Sequence, residues 1–530
     1  MRDDALRGLR GNAPPYEVTA VTDLTPEQDD RIARRVEGTF RVPSYLDRPG
    51  GPPGSGLNYG PDGRLTRLPG NEQVATFRCE IPRVAFTRPA RPSLYGHGLL
   101  GRHTEVGASN VRTMAQRHGF VFCATKWIGM ADEDIPNVIA TFGDMSRFHT
   151  VPDRTQQGFL NFMFLGRAMT ARDGFTAHAA FRNERGRPLI DTRAELVYDG
   201  NSQGGIFGGA LVALSTDIRR GVLGVTGMNY STLFNRSSDA APFQAVFDQS
   251  YPDRLEQQII LALMQMLWDR GEASGYAAHM TDDPYPGTPR HRVLMQVAYG
   301  DHQVATVTAE VEARTVGARV RLPALAPGRS PDAEPYWGIR GFRTAHAGSA
   351  LVVWDSGTPS PPLTNTPPME GPHGTDPHED PRRTPAAQLQ KAVFLKTGVV
   401  TDVCGAAPCL SAPRVRAPRP ARRSHAGSVS VPAPAEVAGR SGRGGREGDR
   451  GWPYREKAGN AQAMKVRGGH DGGRGLRDRA AAGAGRRGGW PRAACRWRRA
   501  AAKPRTGRCR ASRARSSPRP PTSRSAAARW

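Results

Sequence analysis

The sequence places Ser202 between glycines two residues away on either side, in the run Gly200-Asn201-Ser202-Gln203-Gly204. A serine on a sharp strand-to-helix turn can act as a nucleophile in acyl transfer, and its neighbours two residues away then need almost no side chain. The helix that follows such a turn directs backbone N–H groups towards developing negative charge. The same run is also compatible with a glycine-rich β–α turn that has no catalytic role.

A second glycine-rich run, Gly96-His97-Gly98-Leu99-Leu100-Gly101, lies about 100 residues earlier in the chain. The oxyanion of a tetrahedral intermediate needs two N–H donors that are in place before the reaction. We predict that the amide of Gln203 is one donor and that the amide of Leu99 is the other. A plain glycine turn, in which His97 only orients the loop, is the alternative.

Short apolar stretches alternate with helical patterns from residue 91 onward. Strands are predicted at 93–95, 120–125, 194–198, 222–225, 291–298 and 350–354, and helices at 108–118, 156–170, 204–215, 304–316 and 386–396. This alternation favours an α/β fold, with a mostly parallel sheet and helices on both faces. Two earlier β-like stretches, at 32–46 and 73–85, flank a Gly- and Pro-rich loop at 49–70.

Residues 230–290 interrupt this alternation with an amphipathic run at 255–268 and a Gly- and Pro-rich stretch. An insertion between two successive strands would lie above their carboxyl ends, where a helical lid or cap covers an active site. An ordinary long helix with its loop is the alternative. The apolar residues of the run could line an acyl pocket, but they are more typical of the buried side of a core helix. They are Ile260, Leu261, Leu263, Met264 and Leu267.

The turn at Ser202, the early glycine loop and the order of elements resemble the α/β-hydrolase superfamily, in particular bacterial esterase- or lipase-like members. The resemblance covers roughly residues 70–400 and implies a triad in the order nucleophile, acid, histidine. Asp301 follows the predicted strand at 291–298 and matches the acid, although it could instead cap the next helix. For the histidine, the resemblance implies His378, just before the closing helix, in preference to His373.

The activity implied by this resemblance is a serine hydrolase that cleaves a carboxylic ester. His378 would accept the proton of Ser202, Asp301 would orient the imidazolium, and water would hydrolyse the acyl-enzyme. The expected partner is a small-molecule ester, and no cofactor or metal is implied. A peptidase or amidase would use the same residues, and a non-catalytic binding protein could share the fold.

Composition and charge divide the chain near residue 410. Of its 74 basic and 49 acidic residues, 31 and six lie in 411–530, which leaves 43 of each sign in 1–410. The 411–530 segment is rich in Arg, Ala, Gly and Pro and has no Ile or Phe. It therefore cannot bury enough apolar surface to offset its ordering entropy.

These contrasts predict a flexible N-terminus over 1–30, an α/β-hydrolase domain over 31–410 and a disordered tail over 411–530. A shifted reading frame in a GC-rich gene would explain the tail. Because the whole basic excess lies there, the charge assigns the folded part no nucleic-acid role. Only the tail could bind nucleic acid, and then non-specifically.

Cys404 and Cys409 enclose a short loop, and the chain has no CxxC pair, which disfavours a zinc site. The pair predicts either a small disulfide, typical of a secreted or periplasmic protein, or two free thiols of a cytoplasmic one. The start of the sequence shows no apolar signal segment, although a truncated start would remove that argument. No apolar run has the length needed to span a membrane.

Overall fold

A twelve-stranded sheet forms the centre of the fold. The structure, a computed structural model, describes residues 1–411 of the chain. The predicted disordered tail, apart from its first residue, lies outside these described residues.

The strands and helices alternate along most of the described chain. The strands are β1 (Tyr16–Asp23), β2 (Ile32–Pro43), β3 (Glu72–Pro82), β4 (Arg91–Gly96), β5 (Phe120–Ala124), β6 (Val197–Asn201), β7 (Arg220–Gly224), β8 (Arg292–Ala298), β9 (Arg319–Arg321), β10 (Gly341–Phe342), β11 (Ala350–Asp355) and β12 (Cys409–Leu410). The helices are α1 (Arg2–Leu9), α2 (Ser109–His118), α3 (Ile135–Gly143), α4 (Thr150–Thr170), α5 (Gln203–Leu214), α6 (Tyr230–Arg236), α7 (Ala241–Ser250), α8 (Arg254–Trp268), α9 (Thr306–Thr315), α10 (Asp380–Arg383) and α11 (Pro385–Thr397).

The sheet order is β1-β2-β3-β5-β4-β6-β7-β8-β11-β9-β10, with β12 also paired to β11. Strands from β5 through β10 in this order pair in parallel, whereas β1, β2, β3 and β5 pair antiparallel. The predicted α/β class with a mostly parallel sheet is therefore confirmed. Because parallel strands end at a common edge, the loops after β4, β6, β8 and β11 can meet there.

Burial on both faces explains why the central strands appear in the sequence as short runs of mostly apolar residues. Every residue of β5 and of β11 is buried, as expected for strands covered by helices on both faces. The Trp127 ring stacks on Phe162 of α4, with ring centroids 3.6 Å apart, and meets Phe207 of α5 edge-on. These contacts pack α5, which begins directly after Ser202, against Trp127 and, through it, against α4.

The prediction of a flexible N-terminus is wrong, because residues 1–30 contain α1 and β1. Strand β1 pairs with β2 from Tyr16 opposite Phe40 to Asp23 opposite Arg34. The side chain of Arg2 donates to the Leu214 carbonyl at 3.1 Å. The prediction was based on polar composition. Strand pairing, however, satisfies the hydrogen-bonding groups of the backbone regardless of which side chains are present.

Two disulfides lie in the described residues. Cys404–Cys409 forms the small loop that was one of the two predicted alternatives. Cys79–Cys123 joins β3 to β5, where the two residues lie directly opposite each other. The sequence did not pair these two, because their alignment depends on a strand register that spacing does not reveal. Among the described helices, none is both long and apolar enough to cross a membrane.

A buried ion pair joins the closing helix α11 to the strand before Ser202. The Nζ atom of Lys391 lies 2.7 Å from Oδ2 of Asp199 on β6, and both side chains are 2% exposed. A buried charge is costly unless it is paired. The pair therefore fixes α11 against β6, the strand that leads to Ser202. It also restrains the loop that carries His378, because that loop ends just before α10 and α11.

Removing one charge of this pair should destabilise the fold strongly. We expect Lys391→Met to lower the free energy of unfolding by about 3–5 kcal/mol, because Asp199 would keep a buried, unpaired carboxylate. Adding Asp199→Asn should recover much of that loss. Urea denaturation followed by circular dichroism measures both effects.

The matched control is Lys396→Met on the exposed side of the same helix. The ammonium of Lys396 lies over the Phe120 ring, 5.4 Å from its centroid, and its loss should cost about 1 kcal/mol or less. Equal destabilisation by the two lysine variants would contradict the role assigned to the buried pair.

Candidate active site

Ser202 occupies a strained turn between β6 and α5. Its backbone angles, φ 62° and ψ −129°, lie in a region that L-residues rarely adopt. Its amide donates to the Gly224 carbonyl at 2.9 Å, and its carbonyl accepts from the amides of Gly205 and Ile206 at 2.7 and 3.0 Å. The turn places a buried serine at the carboxyl edge of the sheet, at the first turn of a helix.

Two glycines make this turn possible through close backbone approach. A Cβ atom at Gly204 would overlap the carbonyl oxygen of Gly96, at the end of β4. A Cβ atom at Gly200 would overlap the Tyr198 hydroxyl and would lie 2.5 Å from the Gly204 carbonyl oxygen. The spacing of glycines around Ser202 therefore reflects contacts that no other residue permits.

The early glycine loop lies directly beside this turn. Leu99, Ser202 and Gln203 line the same cavity. The neighbouring amides are occupied, because Gly98 donates to Glu105 Oε2 at 2.9 Å and Leu100 donates to Gln203 Oε1 at 3.4 Å. Within residues 1–411, the amides of Leu99 and Gln203 donate to no protein group. The two predicted donors are thus the ones available to a ligand oxygen.

Buried polar side chains hold the loop in place. Nε2 of His97 accepts the Trp127 amide at 2.8 Å, so Nδ1 carries the proton and donates to the Gly98 carbonyl at 2.9 Å. Burial lowers the pKa of His97 to about 4, which keeps the ring neutral near pH 7. The side chain of Gln203 also donates to the Gly98 carbonyl at 3.3 Å and to the Met130 carbonyl at 2.9 Å.

The sequence analysis missed two of these loop contacts. It assigned a role to the amide of Gln203 but none to its side chain, and it did not consider Glu105. Glu105 accepts the Tyr95 hydroxyl at 3.0 Å in addition to the Gly98 amide. Burial raises the pKa of Glu105. No spacing rule identifies these contacts. The Gln203 side chain bonds residues 105 and 73 positions away, and the Glu105 contacts depend on how the loop after β4 folds back on itself.

The structure brings Asp301 and His378 together. Nδ1 of His378 lies 2.9 and 2.8 Å from the two carboxylate oxygens of Asp301, and both side chains are buried. Oδ1 of Asp301 also accepts the amides of Gln303 and Val304 at 2.8 and 2.9 Å. Helix α9 begins later, with Ala305 at its N-cap, so Asp301 does not cap it.

His373 lies apart from this pair. Its Nδ1 accepts the amide of Met369 at 3.0 Å within its own loop. Its carbonyl lies 3.2 Å from Nε2 of His302, so the His302 ring contacts this loop, whereas it is His378 that bonds Asp301. Of the two candidate histidines, it is His378 that contacts Asp301.

Asp376 is a further carboxylate at the site that the sequence analysis did not assign. Its Oδ1 accepts the amides of His378 and His302 at 3.0 and 3.2 Å, and its Oδ2 accepts Nε2 of Gln303 at 2.6 Å. Burial would raise the pKa of Asp376, but the nearby His378 and these N–H donors outweigh it and lower the pKa. Asp376 thus fastens the histidine loop to the loop that carries Asp301.

Ser202 and the Asp301–His378 pair lie at one edge of the sheet. Ser202 follows β6, Asp301 follows β8, and His378 lies on the connection from β11 to α10. The cavity that contains Ser202 is also lined by Gln303 and Val304, two and three residues after Asp301. Within the described residues, Nε2 of His378 makes no hydrogen bond and is available to a ligand or hydroxyl.

Helices α6, α7 and α8, inserted between β7 and β8, form the outer wall of this cavity. Tyr230, Leu233, Phe243 and Trp268 are among the lining residues that they supply. The five apolar residues nominated from the run at 255–268 do not line it. Leu261 and Met264 are buried in the core and Leu263 is exposed.

Residues 1–411 contain no group of three or more His, Cys, Asp or Glu side chains that could hold a metal ion.

Comparisons with known proteins give similarity in structure but none in sequence. No family model and no curated protein matches the chain. Acetyl xylan esterase 1 from Thermoanaerobacterium sp. JW/SL YS485 has a TM-score of 0.36 and 15% identity, over 70% of this chain and 88% of that chain. Acetyl xylan esterase from Paenibacillus sp. R4 has a TM-score of 0.35 and 15% identity, over 59% and 83%. An esterase from Pyrobaculum calidifontis has 0.30 and 13%, over 75% and 90%.

The fold of the chain is defined by its own sheet order and by the residues at the ends of its strands. The sheet is parallel at its centre, in the order β5-β4-β6-β7-β8-β11. A serine at positive φ joins β6 to α5. A buried acid after β8 bonds a histidine that follows the last long strand, β11. The chain therefore has the α/β-hydrolase fold.

Proposed function

We propose that this chain is a serine hydrolase that cleaves carboxylic esters through an acyl-enzyme. The observation that supports this most strongly is the buried hydrogen bond between Asp301 and Nδ1 of His378, at the edge of the sheet where Ser202 is presented. A carboxylate on Nδ1 fixes the tautomer in which Nε2 can accept a proton.

The first half of the reaction acylates Ser202. Nε2 of His378 takes the hydroxyl proton while Oγ attacks the ester carbonyl carbon. Asp301 stabilises the imidazolium that forms and keeps its own geometry through the amides of Gln303 and Val304. The proton on His378 then passes to the leaving alcohol as the acyl carbon–oxygen bond breaks.

The amides of Leu99 and Gln203 would bind the oxyanion of the tetrahedral intermediate. Loss of one such donor typically costs about 10²–10³-fold in rate, because donors fixed in advance need no reorganisation. His97, Glu105 and the Gln203 side chain supply that fixation by holding Gly98 on both its amide and its carbonyl. In the second half, water activated by His378 hydrolyses the acyl-enzyme.

Replacing the nucleophile should abolish turnover without unfolding the chain. We expect Ser202→Ala to lower the hydrolysis of p-nitrophenyl acetate by at least about 10³-fold, because only the oxyanion donors and substrate binding would remain. Labelling by a fluorophosphonate probe should also be lost. Both assays are run on the full chain beside a thermal melt.

Ser109→Ala, at the exposed start of α2, provides the matched control and should keep both labelling and turnover. The corresponding p-nitroanilide tests for an amidase with the same residues. Full activity of Ser202→Ala would contradict the proposal, and faster cleavage of the anilide than of the ester would reassign the substrate class.

The two candidate histidines should differ sharply in their effect on rate. We expect His378→Ala to lower kcat by about 10³-fold or more and Asp301→Asn by about 10⁴-fold, because the base or its correct tautomer is lost. His373→Ala should retain kcat near that of the unmodified chain. Steady-state kinetics on the same ester decide this, and equal losses for the two histidine variants would refute the assignment.

A further inference from the structure

Two cavities lie on either side of a shared wall next to the candidate active site. Phe234, Ser237 and Ala240 line both. The first cavity, of about 80 Å³, contains Ser202. The second, of about 800 Å³, is lined by His302 and Asp376, which belong to the loops that carry the acid and the histidine. Their difference in size and lining bears on what the substrate is.

The first cavity is small and largely apolar. Three packed aromatic rings are part of its lining, with Phe142 stacked on Phe234 at 4.9 Å between centroids and tilted against Phe243 at 5.6 Å. In another protein, an apolar cavity of about 150 Å³ admits benzene. A space of about half that size accepts a chain of only a few carbon atoms.

The second cavity is much larger and is lined by both polar and apolar residues. Its carboxylates are Asp248, Glu370 and Asp376, and no Lys or Arg is among its lining residues. Asp248 pairs with Arg254 and Asp376 accepts N–H groups, which leaves Glu370 as the exposed carboxylate that a ligand meets. Like charges placed together are unfavourable, so this surface disfavours an anionic ligand.

The chemistry of acyl transfer distinguishes the two cavities. The acyl group stays bonded to Oγ of Ser202 beside the Leu99 and Gln203 amides, which line the first cavity. The leaving alcohol receives its proton from His378, so its oxygen lies on the side of the histidine loop. That loop contributes Asp376, the partner of the His378 amide, to the second cavity.

We propose that the substrate is an ester of a short apolar acid with a large, non-anionic alcohol. The acyl chain lies in the first cavity and the alcohol in the second. This inference rests on the proposed function. In the reaction the acyl carbon–oxygen bond of the ester breaks, the bond to Oγ forms, and the serine proton leaves with the alcohol through His378.

A series of p-nitrophenyl esters tests the acyl side with the leaving group held constant. We expect kcat/KM to be highest between acetyl and butyryl and to fall roughly tenfold or more at octanoyl, since each methylene that does not fit a small pocket lowers the rate. Phe243→Ala, which removes a half-buried ring from the lining of the first cavity, should move the optimum to longer chains. Phe86→Ala, at a half-buried position on the 3-10 turn after β3, should not.

Butyryl esters of glucose, choline and glycolate test the alcohol side with the acyl group held constant. The esters of the neutral glucose and the cationic choline should be hydrolysed at least about tenfold faster than the ester of the anionic glycolate. Glu370→Lys should shift the choline-to-glycolate ratio towards glycolate. The same charge change at Glu184, an exposed residue that lines neither cavity, should leave the ratio unchanged.

The outcomes separate this inference from the proposed function. Ser202-dependent hydrolysis with equal rates from acetyl to dodecanoyl would overturn the acyl assignment and leave a serine hydrolase in place. Preference for glycolate would likewise overturn the alcohol assignment alone. Absence of hydrolysis for every ester would overturn both. The substrate series on the unmodified chain decides each case, whether or not a variant folds.

Discussion

The backbone of Ser202 is the constraint on which the rest of the site depends. A residue at positive φ of this kind costs on the order of 1–3 kcal/mol and persists only when its surroundings enforce it. Here the Ser202 amide is bound to Gly224 on the next strand, and Gly204 packs against the Gly96 carbonyl without space for a Cβ. The same contact places the early glycine loop beside the first turn of α5. This one tight turn thus sets the positions of Ser202 and of the free Leu99 and Gln203 amides, all of which belong to residues that line the cavity.

Local patterns allowed much of this arrangement to be predicted. The turn at Ser202 has its glycines at fixed spacing, and Asp301 and His378 follow strands whose ends must share an edge. The contacts of Asp376 and of the Gln203 side chain were not predictable, because each joins loops that approach only after the sheet has formed. The Glu105 contact is local but depends on the path of the loop after β4, which no sequence pattern specifies. The pairing of β1 with β2 was missed for a related reason, since backbone hydrogen bonds leave no mark on composition.

The inserted helix α8 shows why periodicity could place a helix but not its pocket. Leu261, Met264 and Trp268 face inward, yet the opposite side also presents apolar residues, which are Leu255, Ile259, Leu263 and Met266. With apolar residues on both sides, the pattern predicts a helix without indicating which residues meet the cavity. In the structure, the cavity is lined by Trp268, in the last turn of α8. Its ring lies beside that of Tyr230, with the centroids 4.5 Å apart.

The bridge between Cys79 and Cys123 has a thermodynamic consequence for the whole sheet. It spans a sequence separation of 44 residues, and in the chain-entropy view closing a loop of that size destabilises the unfolded ensemble by about 4 kcal/mol. Domains are commonly stable by only about 5–15 kcal/mol. Thiol reductants would therefore remove a large part of the folding margin while touching none of the groups proposed to act on substrate. The stability of the fold and the chemistry proposed for the site are in this way governed by different parts of the molecule.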